Sequence, residues 1–155
     1  MSAHQVQEQV TLHQIESQVA VPRILLVEDE ISVRELYHTV LSSAGYQVDL
    51  ACDGLEALEQ LKRHHYDVLI TDNMMPKLCG IDLLRKIRQT DATLPAIMIS
   101  GDMPVHELDL KSLVKPGGLL TKPFSSSRLL SAIESVLKGI PFPALHSLDS
   151  CEAVA

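Results

Sequence analysis

Residues 66–80, YDVLITDNMMPKLCG, run from an apolar, β-branched segment onto a carboxylate, Asp72, and then through a proline turn to Gly80. No polar residue alternates within Val68–Ile70, so the run reads as a strand buried on both faces, the habit of parallel sheets covered by helices. The segment that follows, GIDLLRKIRQ (80–89), sets Ile81, Leu84 and Ile87 on one helical face. Strand, charged end, turn and helix therefore form one unit, and the unit repeats along the chain.

RILLVEDE (23–30) is a second apolar run turning acidic. SVRELYHTVLSSAG (32–45) then carries Val33, Leu36, Tyr37, Val40 and Leu41 on one face. Ser32 with Glu35 three residues on reads as a capping box, and the helix should end near Gly45. YQVDLA (46–51) is a short strand and GLEALEQLKRH (54–64) a helix with Leu55, Leu58 and Leu61 on one face. LPAIMIS (94–100) and GGLLT (117–121) complete the strands. The helix PVHELDLKSLVK (104–115) opens on Pro104, a favoured first helical position, and must stop before Pro116. SSSRLLSAIESVLKG (125–139) gives a last helix with Leu129, Ile133, Val136 and Leu137 inward. Five strands alternating with five helices imply an α/β fold, a three-layer sandwich with a five-stranded parallel sheet. Doubly wound sheets of this size run in the flavodoxin-like order 2-1-3-4-5, and by analogy that order is expected.

The chain has 155 residues, 46% of them hydrophobic, enough for one core and too few for two full domains. The expected division is a polar N-terminal leader (1–22), one domain (23–139) and a C-terminal tail (140–155). Within the leader, Leu12, Ile15 and Val19 have helical spacing. Lys and Arg total 13 against 20 Asp and Glu, a formal charge of -7, which disfavours nucleic-acid binding because phosphate contacts need a basic face. Cys52, Cys79 and Cys151 have neither paired nor metal-ligand spacing, as suits a reducing cytoplasm. No run reaches the length of a membrane span and no secretory signal opens the chain, so a cytoplasmic location is expected.

In such a sheet the C-terminal strand ends line one edge, where loops build the site. Those ends supply Glu28, Asp29 and Glu30, then Asp72, Ser100 and Lys122. Each alone is ordinary, since acidic loop residues and serines often cap helices and lysines are often solvated. Together, Glu28, Asp29 and Asp72 repel and call for a cation. Oxygen ligands without a nearby cysteine or histidine cluster favour a hard ion such as Mg2+, which keeps positions open for phosphate oxygens. Lys122 and Ser100 add a second positive charge and a hydroxyl donor.

At this point ILLVEDE, DVLITDNMMPKLCG, IMISG and TKPF, in this order and spacing, resemble the receiver domain of two-component response regulators over about residues 23–138. The resemblance implies that Glu28 and Asp29 bind Mg2+ with Asp72 and the backbone carbonyl of Met74. It implies that Asp72 accepts a phosphoryl group from a histidine kinase or histidine phosphotransfer protein. Ser100 and Lys122 would contact the phosphate, and the Lys122–Pro123 peptide would be cis. The protein would signal by docking on a partner or by phosphorelay, and would not be a turnover enzyme on a separate substrate.

One departure bears on output: the aromatic residue the family carries three before the lysine is Leu119 here. The expected partner surface is that of residues 104–137, the fourth helix, fifth strand and fifth helix, for an output protein the sequence does not name; a homodimer stays open. Asp109 interrupts the apolar stripe of the fourth helix, and Gly101 leaves space beside the phosphate. Met74 sets an apolar side chain where attacking water would pass. His38, His64, His65 and His106 lie on separate elements and read as surface residues. The alternative is a receiver-like interaction or dimerisation module that needs no phosphate. A small flavodoxin-like enzyme or cofactor binder is disfavoured because no Gly-rich phosphate loop follows the first strand.

Overall fold

The computed structural model describes residues 20–101 and 107–140. The leader up to residue 19, Pro104, His106, Cys151 and the tail from residue 141 lie outside the described residues, as do the side chains of 107–109. The strands are β1 (Arg23–Val27), β2 (Gln47–Ala51), β3 (Val68–Asp72), β4 (Ala96–Ser100) and β5 (Gly117–Thr121). The helices are α1 (Ile31–Ser43), α2 (Gly54–Arg63), α3 (Gly80–Thr90), α4 (Glu107–Val114) and α5 (Ser126–Leu137). All strand pairs are parallel and the sheet order is β2-β1-β3-β4-β5, the expected one.

Each apolar run divides its side chains between the two faces, because successive residues of a strand point to opposite sides. Leu25, Val27, Leu69, Met98 and Leu119 pack with Ala57 of α2, Leu83, Leu84 and Ile87 of α3, and Leu110 and Val114 of α4. Ile24, Leu26, Ile70, Ile97, Ile99 and Leu120 pack with Leu41 of α1 and Leu129, Ala132, Ile133 and Val136 of α5. The three layers are thus α1 and α5, the sheet, and α2 with α3 and α4. β3 and β4 are buried at every position, as their unalternating sequences require.

Helix starts are set by local chemistry. Asp53 caps α2 by accepting the Glu56 N–H at 2.9 Å, and Ser125 caps α5 by accepting that of Arg128 at 3.2 Å. The capping box expected at Ser32 is not formed. α1 begins at Ile31 with Glu30 at the cap position and no side-chain cap. The short acidic connection from β1 brings the helix cap in two residues early, and the Ser32 hydroxyl instead donates to Glu30 Oε1 at 2.8 Å. α4 ends before Pro116, and both Lys115–Pro116 and Lys122–Pro123 are cis. Among the described residues no helix is long and apolar enough to cross a membrane.

Candidate functional site

Parallel register makes the charged strand ends level. Val27 pairs with Thr71, Asp72 with Ile99, and Ser100 with Thr121. One residue further, Glu28 N–H donates to Ala51 O at 3.1 Å, Asn73 N–H to Ile99 O at 3.1 Å and Lys122 N–H to Ser100 O at 2.9 Å. The sheet's last hydrogen bonds therefore fasten the backbone on which the polar groups sit. Beyond them the loops diverge and leave an edge open to ligands.

At that edge the carboxylates of Glu28, Asp29 and Asp72 each offer an oxygen within 4.8 Å of the others. Glu28 and Asp72 are 3% and 6% exposed, whereas Asp29 faces solvent, so the cluster is buried on one side and accessible on the other. Lys122 Nζ donates to Asp72 Oδ2 at 3.0 Å, and Met74 N–H to Asp72 Oδ1 at 3.2 Å. Each oxygen of Asp72 thus has one donor. Glu28 Oε1 accepts the Glu30 N–H at 3.1 Å, but Glu28 Oε2 is buried with no hydrogen-bond partner. A buried carboxylate oxygen without a donor is costly. A hard cation would supply the missing partner, and a divalent ion with oxygen ligands and a solvent-facing side matches this donor set.

The electrostatics agree. Burial, opposed by the Glu30 N–H and reinforced by the nearby Asp72 charge, raises the Glu28 carboxyl from 4.5 to about 7. Burial works against the Lys122 ammonium, but the hydrogen bond and charge of Asp72 outweigh it and hold its pKa above the usual value. The site keeps a fixed positive charge on one flank and an under-compensated acid on the other.

Ser100 ends β4, 5% exposed, on the strand next to Asp72 and level with Thr121. The structure joins Ser100 to the Lys122 segment through the backbone. Met74 projects its side chain into solvent, 76% exposed, while its N–H stays tied to Asp72. His64 and His65 are exposed and His38 is half-buried beside Ser42 on α1, all consistent with surface roles.

Sequence reading missed the groups that support this cluster. Arg34, one turn into α1, donates through Nη1 to the carbonyls of Glu28 at 2.7 Å and Asp29 at 3.3 Å, clamping the acidic loop by its backbone. An arginine four residues after the last of three adjacent acids, Glu28 to Glu30, is the signal that could have flagged it. Tyr37, assigned only to an apolar helix face, stacks on Phe124 with ring centroids 5.7 Å apart and feels the charge of Lys122. Leu119, read as a missing reporter, is 4% exposed and belongs to the core with Met98 and Val114.

Against this geometry, the family model described as response regulator receiver domain matches residues 24–134. The chain is 39% identical over 116 residues to the response regulator MprA of Mycobacterium leprae, covering 75% of this chain and 51% of that protein. It therefore spans about half the length of the curated relatives it matches. Among solved structures it resembles the receiver domain of the Francisella response regulator 1452, with 32% identity and a TM-score of 0.69 over 76% of this chain and 97% of that one. It is also similar to the Thermotoga maritima response regulator TrrA, solved in complex with Mg(2+)-BeF, with 27% identity and a TM-score of 0.69 over 75% of this chain and 99% of that one.

Proposed function

Because the chain belongs to the response regulator receiver domain family, we propose that Asp72 is its phosphoacceptor, served by Mg2+ at Glu28, Asp29, Asp72 and the Met74 carbonyl. The observation that carries this reading is the setting of Asp72: a carboxylate 6% exposed, held on one oxygen by Lys122 at 3.0 Å, within a three-carboxylate cluster that contains an unpartnered buried oxygen. Receivers of this family accept a phosphoryl group and signal with it; they are not turnover enzymes on a separate substrate.

In the proposed reaction an oxygen of Asp72 attacks the phosphorus of a phosphohistidine, or of a small acyl phosphate. The bond to the donor breaks, its electron pair leaves with the donor, and an acyl phosphate remains on Asp72. When bound, Mg2+ supplies charge neutralisation for the incoming phosphoryl oxygens. Lys122 stabilises the same oxygens from the other flank, and Ser100 offers a hydroxyl donor. The Met74 N–H fixes the Asp72 rotamer so that attack needs no side-chain search. The donor is proposed to be a histidine kinase or histidine phosphotransfer protein.

For output we propose the face formed by α4, β5 and α5. A cavity of about 620 Å3 opens there, lined by Val114, Pro116, Leu119, Val136 and Ile140 together with Lys111 and Lys115. Its apolar floor and basic flank suit a partner protein that presents apolar side chains beside acidic ones.

Incubation with acetyl phosphate and Mg2+ should add one base-labile phosphoryl mass to the intact protein. Asp72→Asn should remove the adduct, because an amide is not a competent nucleophile. Lys122→Ala should slow its formation by about two to three orders of magnitude, the scale of a lost transition-state donor. An adduct of unchanged mass in Asp72→Asn would move the acceptor elsewhere, and no adduct in wild type with any donor would favour a phosphate-independent module.

A further inference from the structure

The loop between β3 and α3, residues 73–79, carries Met74, and its tip holds Lys77 in an uncommon conformation. Among the described residues Lys77 is the one non-glycine residue with positive φ, +64°. In that left-handed region Cβ crowds the backbone, and glycine would sit there without the conflict. A long side chain kept at such a position invites the question of what it does. Lys77 Nζ lies 2.7 Å from Asp53 Oδ2, across 24 residues of sequence. Asp53 is 4% exposed and uses its other oxygen to cap α2 through the Glu56 N–H at 2.9 Å. One carboxylate thus fastens the end of α2 and the tip of the loop at once. The hydrogen bond from Lys77 and the cap hold the Asp53 carboxyl below its usual range.

The same seam is closed by packing. A Cβ on Gly54, the first residue of α2, would fall 2.8 Å from Leu78 O and 2.9 Å from Leu78 Cβ. The loop therefore lies flush on the first turn of α2. At its base, Met74 N–H holds Asp72 Oδ1 at 3.2 Å and Gly80 N–H holds Asn73 O at 3.0 Å. Base and tip are pinned to different elements, and the segment between them includes Met74.

We propose that the Asp53–Lys77 pair is a latch that holds the β3–α3 loop against α2 and so sets the Met74 backbone for the divalent-cation site. Asp53 and Lys77 are then positioning residues, since neither touches the cluster of Glu28, Asp29 and Asp72. The proposal rests on the metal reading given above. Supporting groups around a metal site typically tune affinity by fixing where the ligands stand. A loop free to lift from α2 would spend part of its time with the Met74 carbonyl out of place, and Mg2+ affinity would fall by that fraction.

The test is Mg2+ titration of the full chain, followed by amide shifts, for wild type, Asp53→Asn, Lys77→Met, Lys77→Arg and the Asp53→Asn/Lys77→Met double variant. Asparagine keeps the cap acceptor and methionine keeps most of the lysine stem, so the fold survives. Each charge-removing single should weaken Mg2+ binding about threefold to tenfold, below or at the low end of direct ligand-supporting contacts. The double should be no weaker than the worse single, because one interaction is lost in all three. Both singles should shift the same amides from Met74 to Leu78, Lys77→Arg should retain wild-type affinity, and saturating Mg2+ should restore the wild-type rate of adduct formation. Unchanged affinity, additive singles, or shifts that stop short of Met74 would overturn the latch. Wild type that binds no Mg2+ would overturn the metal reading and the latch together, whereas wild-type binding with unmoved variants overturns the latch alone.

Discussion

Glu28 is buried to 3% exposure with one oxygen on the Glu30 N–H and the other without a partner, and its carboxyl is raised from 4.5 to about 7. A folded-state pKa above the unfolded one means that the native protein binds the extra proton between those values. The corresponding stability is fully present below about pH 4.5 and is lost as pH rises through about 7. For the metal-free protein we expect unfolding free energy to fall by on the order of 3 kcal/mol from this group between pH 5 and 8, at about 1.4 kcal/mol per pKa unit. Glu28→Gln should flatten that slope, and saturating Mg2+ should flatten it too, because a cation binds the ionised form and holds Glu28 deprotonated across the range. Denaturant melts at several pH values, with and without Mg2+, check both. A wild-type slope that Glu28→Gln leaves untouched would assign the titration to another group.

At the scale of elements, the junction of β3 with α3 decides where Asp72 stands. A Cβ on Gly80 would lie 2.4 Å from Asp72 O and 2.9 Å from Asn73 Cα, backbone atoms that cannot swing away. Only a residue without Cβ lets α3 start so close to the strand end. Gly80→Ala should therefore cost about 1–3 kcal/mol, the range for overpacking, and should also slow adduct formation by displacing Asp72. Gly101, after β4, has open space around its Cβ position, so Gly101→Ala should stay within about 0.5 kcal/mol of wild type. Thermal unfolding and adduct kinetics on the two variants separate a packing constraint from mere proximity to the site. The start of α1 shows the same dependence on neighbours. The Ser32–Glu35 spacing predicts a box, but the helix enters directly from the acidic loop and Ser32 turns to Glu30.

Across the whole molecule, two apolar layers on opposite faces of one sheet share the work of stability, and Leu119 belongs to one of them. It faces Met98 across the β4–β5 register and sits with Leu110 and Val114 of α4. Leu119→Ala should cost about 2–4 kcal/mol, as buried leucine truncations do, measured by denaturant unfolding. The loss should be accompanied by amide shifts in α4 and β5 and little change at Glu28, which lies on the far side of β3 and β4 in the sheet. A surface leucine standing in for an aromatic reporter would cost far less, so the size of the effect tells the two roles apart.

The order of elements, the parallel sheet and the identity of the charged strand ends were legible in the sequence, because each depends on nearest-neighbour properties: unalternating apolar runs, helical periodicity, turn residues and the charge that follows a run. The co-location of Glu28, Asp29, Asp72 and Lys122 followed once the strands were taken as parallel. The contacts set by tertiary packing join residues far apart in sequence. The Lys77–Asp53 pair, the Tyr37–Phe124 stack and the inward turn of Leu119 are set by how loops and helices settle on a twisted sheet, and no local pattern encodes that. The unpartnered oxygen of Glu28 is of the same kind. A sequence shows that a carboxylate is present, whereas its hydration and its donors are fixed only when the chain closes around it.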